Sequence, residues 1–178
     1  MRLNQTLSRL ASCAGPGPLR VAVVGIGQSL RGDDGAGSAV ARALQTQLQG
    51  VSSVLVLDGG SAPENQTGPL RRHRPALVIL VDAAQMGTAP GTLEWLAWEE
   101  THGMTSSHTL PPHFLARYLT AVVCCEVVLL GIEPADTTIG ASLSPAVEKA
   151  VETATDGLVT ALRPLGIKDI EYAPVTGI

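Results

Sequence analysis

Val21-Ala22-Val23-Val24-Gly25-Ile26 runs directly into Gly27-Gln28-Ser29-Leu30-Arg31-Gly32-Asp33-Asp34-Gly35-Ala36-Gly37, and this stretch decides the fold class. The first six residues read as a buried strand, and the glycine-rich segment after them as a tight turn. From Asp33 to Gln49 the apolar residues Ala36, Val40, Ala43, Leu44 and Leu48 fall on one face, which predicts a helix. Similar units follow. Val54 to Leu57 reads as a second strand ending at Asp58-Gly59-Gly60, Pro63 to Arg74 as a short helix, and Leu77 to Val81 as a third strand. Thr92 to Leu96 reads as a fourth strand, after the turn Ala89-Pro90-Gly91. Pro111 to Ala121 reads as a helix with proline at its start, and Cys125 to Leu130 as a fifth strand. Ser144 and Pro145 suit the N-cap and first position of a last helix, which ends near Leu162 because Pro164 and Gly166 follow.

This alternation predicts an α/β fold, a three-layer α/β/α sandwich around a five-stranded, mostly parallel sheet. The segment between the third and fourth strands is short for a helical crossover, so the fourth strand is expected to run antiparallel. Residues 1–20, with Gly15, Pro16, Gly17 and Pro18, are expected to be a flexible N-terminal extension; 21–167 form the domain, and 168–178 an irregular tail.

Two Trp, two Tyr and one Phe in 178 residues require an aliphatic core, which suits a buried parallel sheet. A net charge of −4 and the absence of a long basic cluster argue against nucleic acid. The run Arg71-Arg72-His73-Arg74 reads as a solvated helix end. No apolar stretch is long enough for a bilayer, since Ala121 to Gly131 is interrupted by Glu126, and residues 1–20 do not read as a secretory signal. Three cysteines cannot all pair within the chain, and Cys124-Cys125 sit among valines; a reduced, cytoplasmic protein with inert structural thiols is expected.

Ligands in open α/β sheets collect at the carboxyl ends of the strands. Asp33 and Asp34 follow the first strand, Asp58 ends the second and Asp82 the third. Asp33 is read as a cap of the following helix, which leaves Asp34 as the candidate. Asp82 closes five aliphatic residues, where an unpartnered charge is costly. Asp58-Gly59-Gly60 has tight-turn composition, so a structural role is expected there. His108, on the loop before the fourth-strand-to-fifth-strand helix, competes with His113 one turn inside that helix; His73 and His102 lie in a basic run and a polar loop. A carboxylate–carboxylate–imidazole set can hold a borderline metal ion if the fold gathers it. Competing signatures fail: G-x-G-x-x-G would need glycine at Leu30, and no Walker motif, H-E-x-x-H or G-x-S-x-G occurs.

An ordered set of stretches resembles one family, the maturation endopeptidases of nickel–iron hydrogenases, nearest the branch that serves the hydrogenase of the formate hydrogenlyase complex. The stretches are Gly32-Asp33-Asp34-Gly35-Ala36-Gly37, Asp58-Gly59-Gly60-Ser61-Ala62-Pro63-Glu64-Asn65, Val81-Asp82-Ala83 with Met86-Gly87 and Ala89-Pro90-Gly91, Ser107-His108-Thr109-Leu110-Pro111, Gly131-Ile132-Glu133-Pro134, and Ala150-Val151-Glu152-Thr153. The resemblance implies removal of a short C-terminal extension from the hydrogenase large-subunit precursor after nickel insertion. It also implies that Asp34, Asp82 and His108 are the catalytic and metal-binding side chains. The nickel implied is that of the bound precursor, and the resting enzyme needs none of its own. One position departs from the family: Gln28 stands where asparagine is usual, and glutamine supports tight-turn bonding less well. A non-enzymatic, nickel-dependent checkpoint or chaperone for the precursor would use the same three ligands, and a small nucleotide-binding domain is the third reading.

Overall fold

A computed structural model describes residues 3–13, 17–96 and 112–166. Its elements are α1 (Leu3–Cys13), β1 (Val21–Ile26), α2 (Ala36–Gln47), β2 (Val54–Gly60), α3 (Thr67–His73), β3 (Leu77–Ala83), β4 (Leu93–Leu96), α4 (Pro112–Val122), β5 (Glu126–Ile132) and α5 (Pro145–Leu162), and from β1 onward they follow the alternation expected from the sequence. Short 3-10 turns at Gly32–Gly35 and Pro63–Gln66 precede α2 and α3. The strands form one sheet in the order β2-β1-β3-β5-β4. All pairings are parallel except β4 with β5, which is antiparallel as expected from the short connection. No helix among the described residues is long and apolar enough to cross a membrane.

The period of two along each strand sorts the aliphatic side chains into two cores. Val21, Val23, Leu77, Ile79 and Val81 face one side, where Val40 and Leu44 of α2 and Val147 and Leu158 of α5 cover them. Ala22, Val24, Ile26, Val78 and Leu80 face the other, against Leu70 of α3 and Leu115, Ala116 and Leu119 of α4. Both faces of β1 are buried along its full length, which explains its uninterrupted apolar sequence.

Several boundaries differ from the sequence reading. The strands outrun their aliphatic runs because ladder pairing continues: Asp82 pairs with Gly131 and Ala83 with Ile132, so Asp82 lies inside β3. β2 likewise carries Asp58, Gly59 and Gly60. Asp33 and Asp34 sit in a 3-10 turn, and the α-helix begins only at Ala36. Pro112, rather than Pro111, is the first described residue of α4. Residues 168–178, together with His102, His108 and Pro111, lie outside the described residues.

The expected flexible extension over 1–20 is corrected for Leu3–Cys13. These residues form α1, whose Leu7 is fully buried in the core cluster that also holds Leu77 and Leu158. Arg9 of α1 also makes a two-pronged pair with Glu126 at the start of β5, at 2.7 and 2.6 Å. Burial of a leucine stabilises by about 1.5–3 kcal/mol, whereas an exposed ion pair contributes little, so the apolar face is what docks α1. Leu7→Ala is therefore expected to lower unfolding stability by roughly 3 kcal/mol, read from the urea midpoint, while Arg9→Ala leaves the midpoint near wild type. Equal, small effects would mean that α1 does not belong to the folded core.

Candidate functional site

The strand order switches sense between the parallel neighbours β1 and β3. The connection from β1 leads outward to β2, and that from β3 leads toward β4 and β5. The crevice at such a switch point, at the carboxyl ends of the strands, is where α/β sheets bind ligands. The loop after β1 carries Asp34, and the end of β3 carries Asp82; both are buried, at 4% and 3% exposure.

Glycines let these segments meet. Gly37 rests against the carbonyl oxygens of Ile26 and Val81, with no room for a Cβ, so the start of α2 is pressed onto the ends of β1 and β3. Gly25 presses in turn against the carbonyl of Gly37. Gly27 adopts φ 141° with its α-carbon against the backbone oxygen of Asp34, a conformation and a clearance that only glycine supplies. Asp34 is three residues before Gly37, and Asp82 directly follows Val81. The two carboxylates are thus brought to one sheet edge from both sides of the switch point.

Asp34 Oδ2 accepts a hydrogen bond from the backbone N–H of Gln28 at 3.1 Å. This bond uses the main chain of Gln28, whose residue is exposed, so it does not depend on the identity of that side chain.

Asp33 does not cap a helix. Its Oδ2 accepts from the N–H groups of Ala135 and Asp136 at 2.8 and 2.9 Å and from Ser144 Oγ at 2.9 Å, and its Oδ1 from Ser144 N at 2.6 Å. Burial would push the Asp33 carboxyl up, but these bonds together outweigh it and hold it below the usual carboxylate range. Ser144 occupies the N-cap position of α5, yet its hydroxyl donates to Asp33 instead of capping the helix. Backbone bonds from Gly32 to Ala141, Asp33 to Asp136 and Gly140 to Leu30 complete this lacing of the first turn to the segment before α5.

Asp58 serves its own turn: Oδ1 accepts from Gly60 N at 3.2 Å, and Oδ2 pairs with Arg42 at 3.0 Å. Glu133, which the sequence reading took only as part of a resembling stretch, secures the loop beyond Asp82. Its Oε2 accepts from Met86 N, Thr88 N and Thr88 Oγ1 at 2.7, 3.1 and 3.2 Å. Glu64, in the 3-10 turn after β2, was not singled out either; its Oε2 is sealed from solvent and receives no hydrogen bond from the described residues. The sequence signal for Glu133 is its place directly after β5, and for Glu64 its place in the first turn after β2, four residues past Gly60. Cys125 is buried, and burial pushes its thiol up to about 11, in keeping with an inert structural role.

His108 lies outside the described residues, while His113 stands in the first turn of α4 with its ring 4.4 Å from that of Phe114. Among the described residues, no three His, Cys, Asp or Glu side chains are gathered to hold a metal ion. Two carboxylates offer hard oxygen donors, and a third, imidazole donor would give a set that suits a borderline divalent ion.

Residues 38–161 match the family model described as hydrogenase maturation protease, HycI. The chain is 34% identical over 130 residues to the hydrogenase 3 maturation protease of Escherichia coli K12, covering 72% of this chain and 81% of that protein. It resembles the crystal structure of the [NiFe] hydrogenase maturation protease HycI from Thermococcus kodakarensis KOD1, with TM-score 0.77 and 29% identity over 89% of this chain and 99% of that one. The solution structure of the endopeptidase HycI from Escherichia coli matches with TM-score 0.70 and 31% identity, over 81% and 89% of the two chains.

The bonds at Asp33 yield a stability prediction. Asn at this position has one acceptor oxygen and turns an amide N–H toward donors, so Asp33→Asn is expected to cost roughly 2–5 kcal/mol. The folded carboxyl titrates below its unfolded counterpart, so its contribution is complete above about pH 4 and is lost as pH falls through the lower folded value. Urea midpoints of wild type and variant should therefore differ most above about pH 4 and draw together as pH falls below it. A constant gap across that range would show that the charge of Asp33 does not act in this way.

Proposed function

The chain belongs to the hydrogenase maturation protease family, and from that premise we propose that it removes the C-terminal extension of a nickel-loaded [NiFe] hydrogenase large-subunit precursor. Membership makes it a hydrolase of the endopeptidase kind. The observation that carries the finer reading is the delivery of two buried carboxylates, Asp34 and Asp82, to opposite sides of one switch point. α4 packs on one face of the sheet through Leu115 and leads into β5, which runs parallel to β3, so its first turn stands toward the carboxyl-end edge of the sheet. The segment bearing His108 immediately precedes that turn.

Asp34, Asp82 and His108 form the proposed catalytic and metal-contacting set. The nickel is substrate-borne, carried in by the precursor, and the protease recognises it as a sign that insertion is complete. Two oxygen donors and one nitrogen donor leave positions for the precursor's own ligands. Holding the metal fixes the adjacent peptide bond against the carboxylates, and such positioning supplies much of the rate enhancement. A carboxylate then takes a proton from the attacking water, and its burial keeps bulk solvent from competing for it. Leu30 and Ile139, 70% and 77% exposed on segments joined by the Gly140-to-Leu30 bond, add an apolar rim suited to a polypeptide substrate. We assign this work to the cytoplasm.

The test combines purified chain with nickel-loaded and nickel-free precursor and weighs the products by mass spectrometry. Loss of the C-terminal extension is expected only with nickel present. His108→Ala should abolish that dependence along with most of the turnover, and Asp34→Asn should cut turnover by about 100-fold or more, as expected for loss of a positioned base. A stable complex without mass loss would identify a checkpoint instead of a protease, and normal processing by both variants would overturn the assigned site.

A further inference from the structure

Arg20, Arg71, Arg72 and Arg74, with Gly68, line an open pocket of about 660 Å³. It lies at the sheet edge opposite the carboxylates, since Arg20 immediately precedes β1 and Arg74 follows α3 on the way into β3. The six residues of β1 separate the two edges, about 20 Å at the usual rise of a strand. The pocket's walls are held together by main chain: Ala76 N donates to Arg20 O at 2.8 Å, and Arg74 N to Leu70 O at 2.9 Å. Gly68 leaves space over which Arg72 folds back, its Nη1 standing 3.6 Å from where a Cβ would be.

A solvated helix end accounts for part of this cluster, because cations in the last turn are attracted to the negative end of the helix dipole. It does not account for Arg20, which comes from another segment. All four arginines are exposed. Among the described residues, the salt bridges are Arg9 with Glu126 and Arg42 with Asp58, so none involves the pocket. In a chain of net charge −4 with 12 Lys and Arg in all, gathering four guanidinium groups without a described carboxylate makes a local positive field that a partner would have to neutralise.

We propose that this pocket is a docking site for an acidic peptide segment of a protein partner. Guanidinium groups pair with carboxylates through two parallel hydrogen bonds, and several on one surface can follow consecutive Asp or Glu side chains. The lining has no aromatic or aliphatic side chain to hold a base, which disfavours a nucleotide or single-stranded nucleic acid. The site stands apart from the proposed peptidase centre and does not depend on it.

Fluorescence anisotropy of labelled hexaglutamate, titrated with the full chain at low salt, tests the proposal. Wild type should bind saturably and weaken as salt rises. The double variant Arg71→Glu/Arg72→Glu should bind about tenfold or more weakly, and Arg20→Gln should weaken binding to a lesser degree, with circular dichroism unchanged. Arg117→Glu, on the exposed side of α4, should match wild type. No binding by wild type, equal binding by the double variant, or a preference for ATP or oligouridylate over hexaglutamate would overturn it.

Discussion

The contact of Gly37 with the carbonyl oxygens of Ile26 and Val81 sets the site. It presses the first turn of α2 onto two neighbouring strand ends and fixes where the preceding turn must pass. A glycine inside a helix costs about 1 kcal/mol against alanine, and here that cost is offset by an approach no other residue permits. Gly25 and Gly27 make the complementary approaches from the strand side. Asp34 is held at the sheet edge by this packing, and its geometry does not depend on a polar side-chain network alone. Asp82 arrives by a separate route, the parallel register of β3 between β1 and β5.

Adjacent aspartates in this turn carry different duties. Asp33 commits both oxygens to the segment 135–144, and Asp34 takes a main-chain hydrogen bond from Gln28. A 3-10 turn has three residues per turn, so neighbouring side chains point about 120° apart and can serve different surroundings. Asp33 thereby braces the turn from behind, and Glu133 does the same for the loop that follows Asp82. Asp33 and Glu133 are thus engaged by several backbone N–H groups and a hydroxyl each, while Asp34 and Asp82 lie buried at the switch point. The sealed oxygen of Glu64 is the exception, a polar atom without a described partner; burial of that kind is costly and is commonest near functional sites.

The fold class, sheet composition and antiparallel edge strand were legible because aliphatic runs, turn residues and connection lengths carry them locally. Strand ends were not, since the pairing of Asp82 with Gly131 depends on a partner about fifty residues away. α1 is not legible because the glycines and prolines at 15–18 signal an irregular entry, while its anchor, Leu7, has meaning only within a core assembled from distant strands and helices. The placement of Asp34 and Asp82 at one edge followed from strand ends alone. The role of Asp33 did not, because its partners lie about a hundred residues downstream. Family membership was legible in an ordered set of short stretches, each weak when taken singly. The basic run at 71–74 reads from sequence as an ordinary helix end, because Arg20, which joins it in one pocket, lies about fifty residues away along the chain.

The central claim is that sequence-distant donors share one metal ion at the switch point. Anomalous diffraction from a nickel-soaked crystal measures this most directly. The account predicts one peak within about 2.0–2.2 Å of carboxylate oxygens of both Asp34 and Asp82 and of an imidazole nitrogen of His108. Separate peaks at the two acids, or a single peak that leaves out either of them, would contradict it.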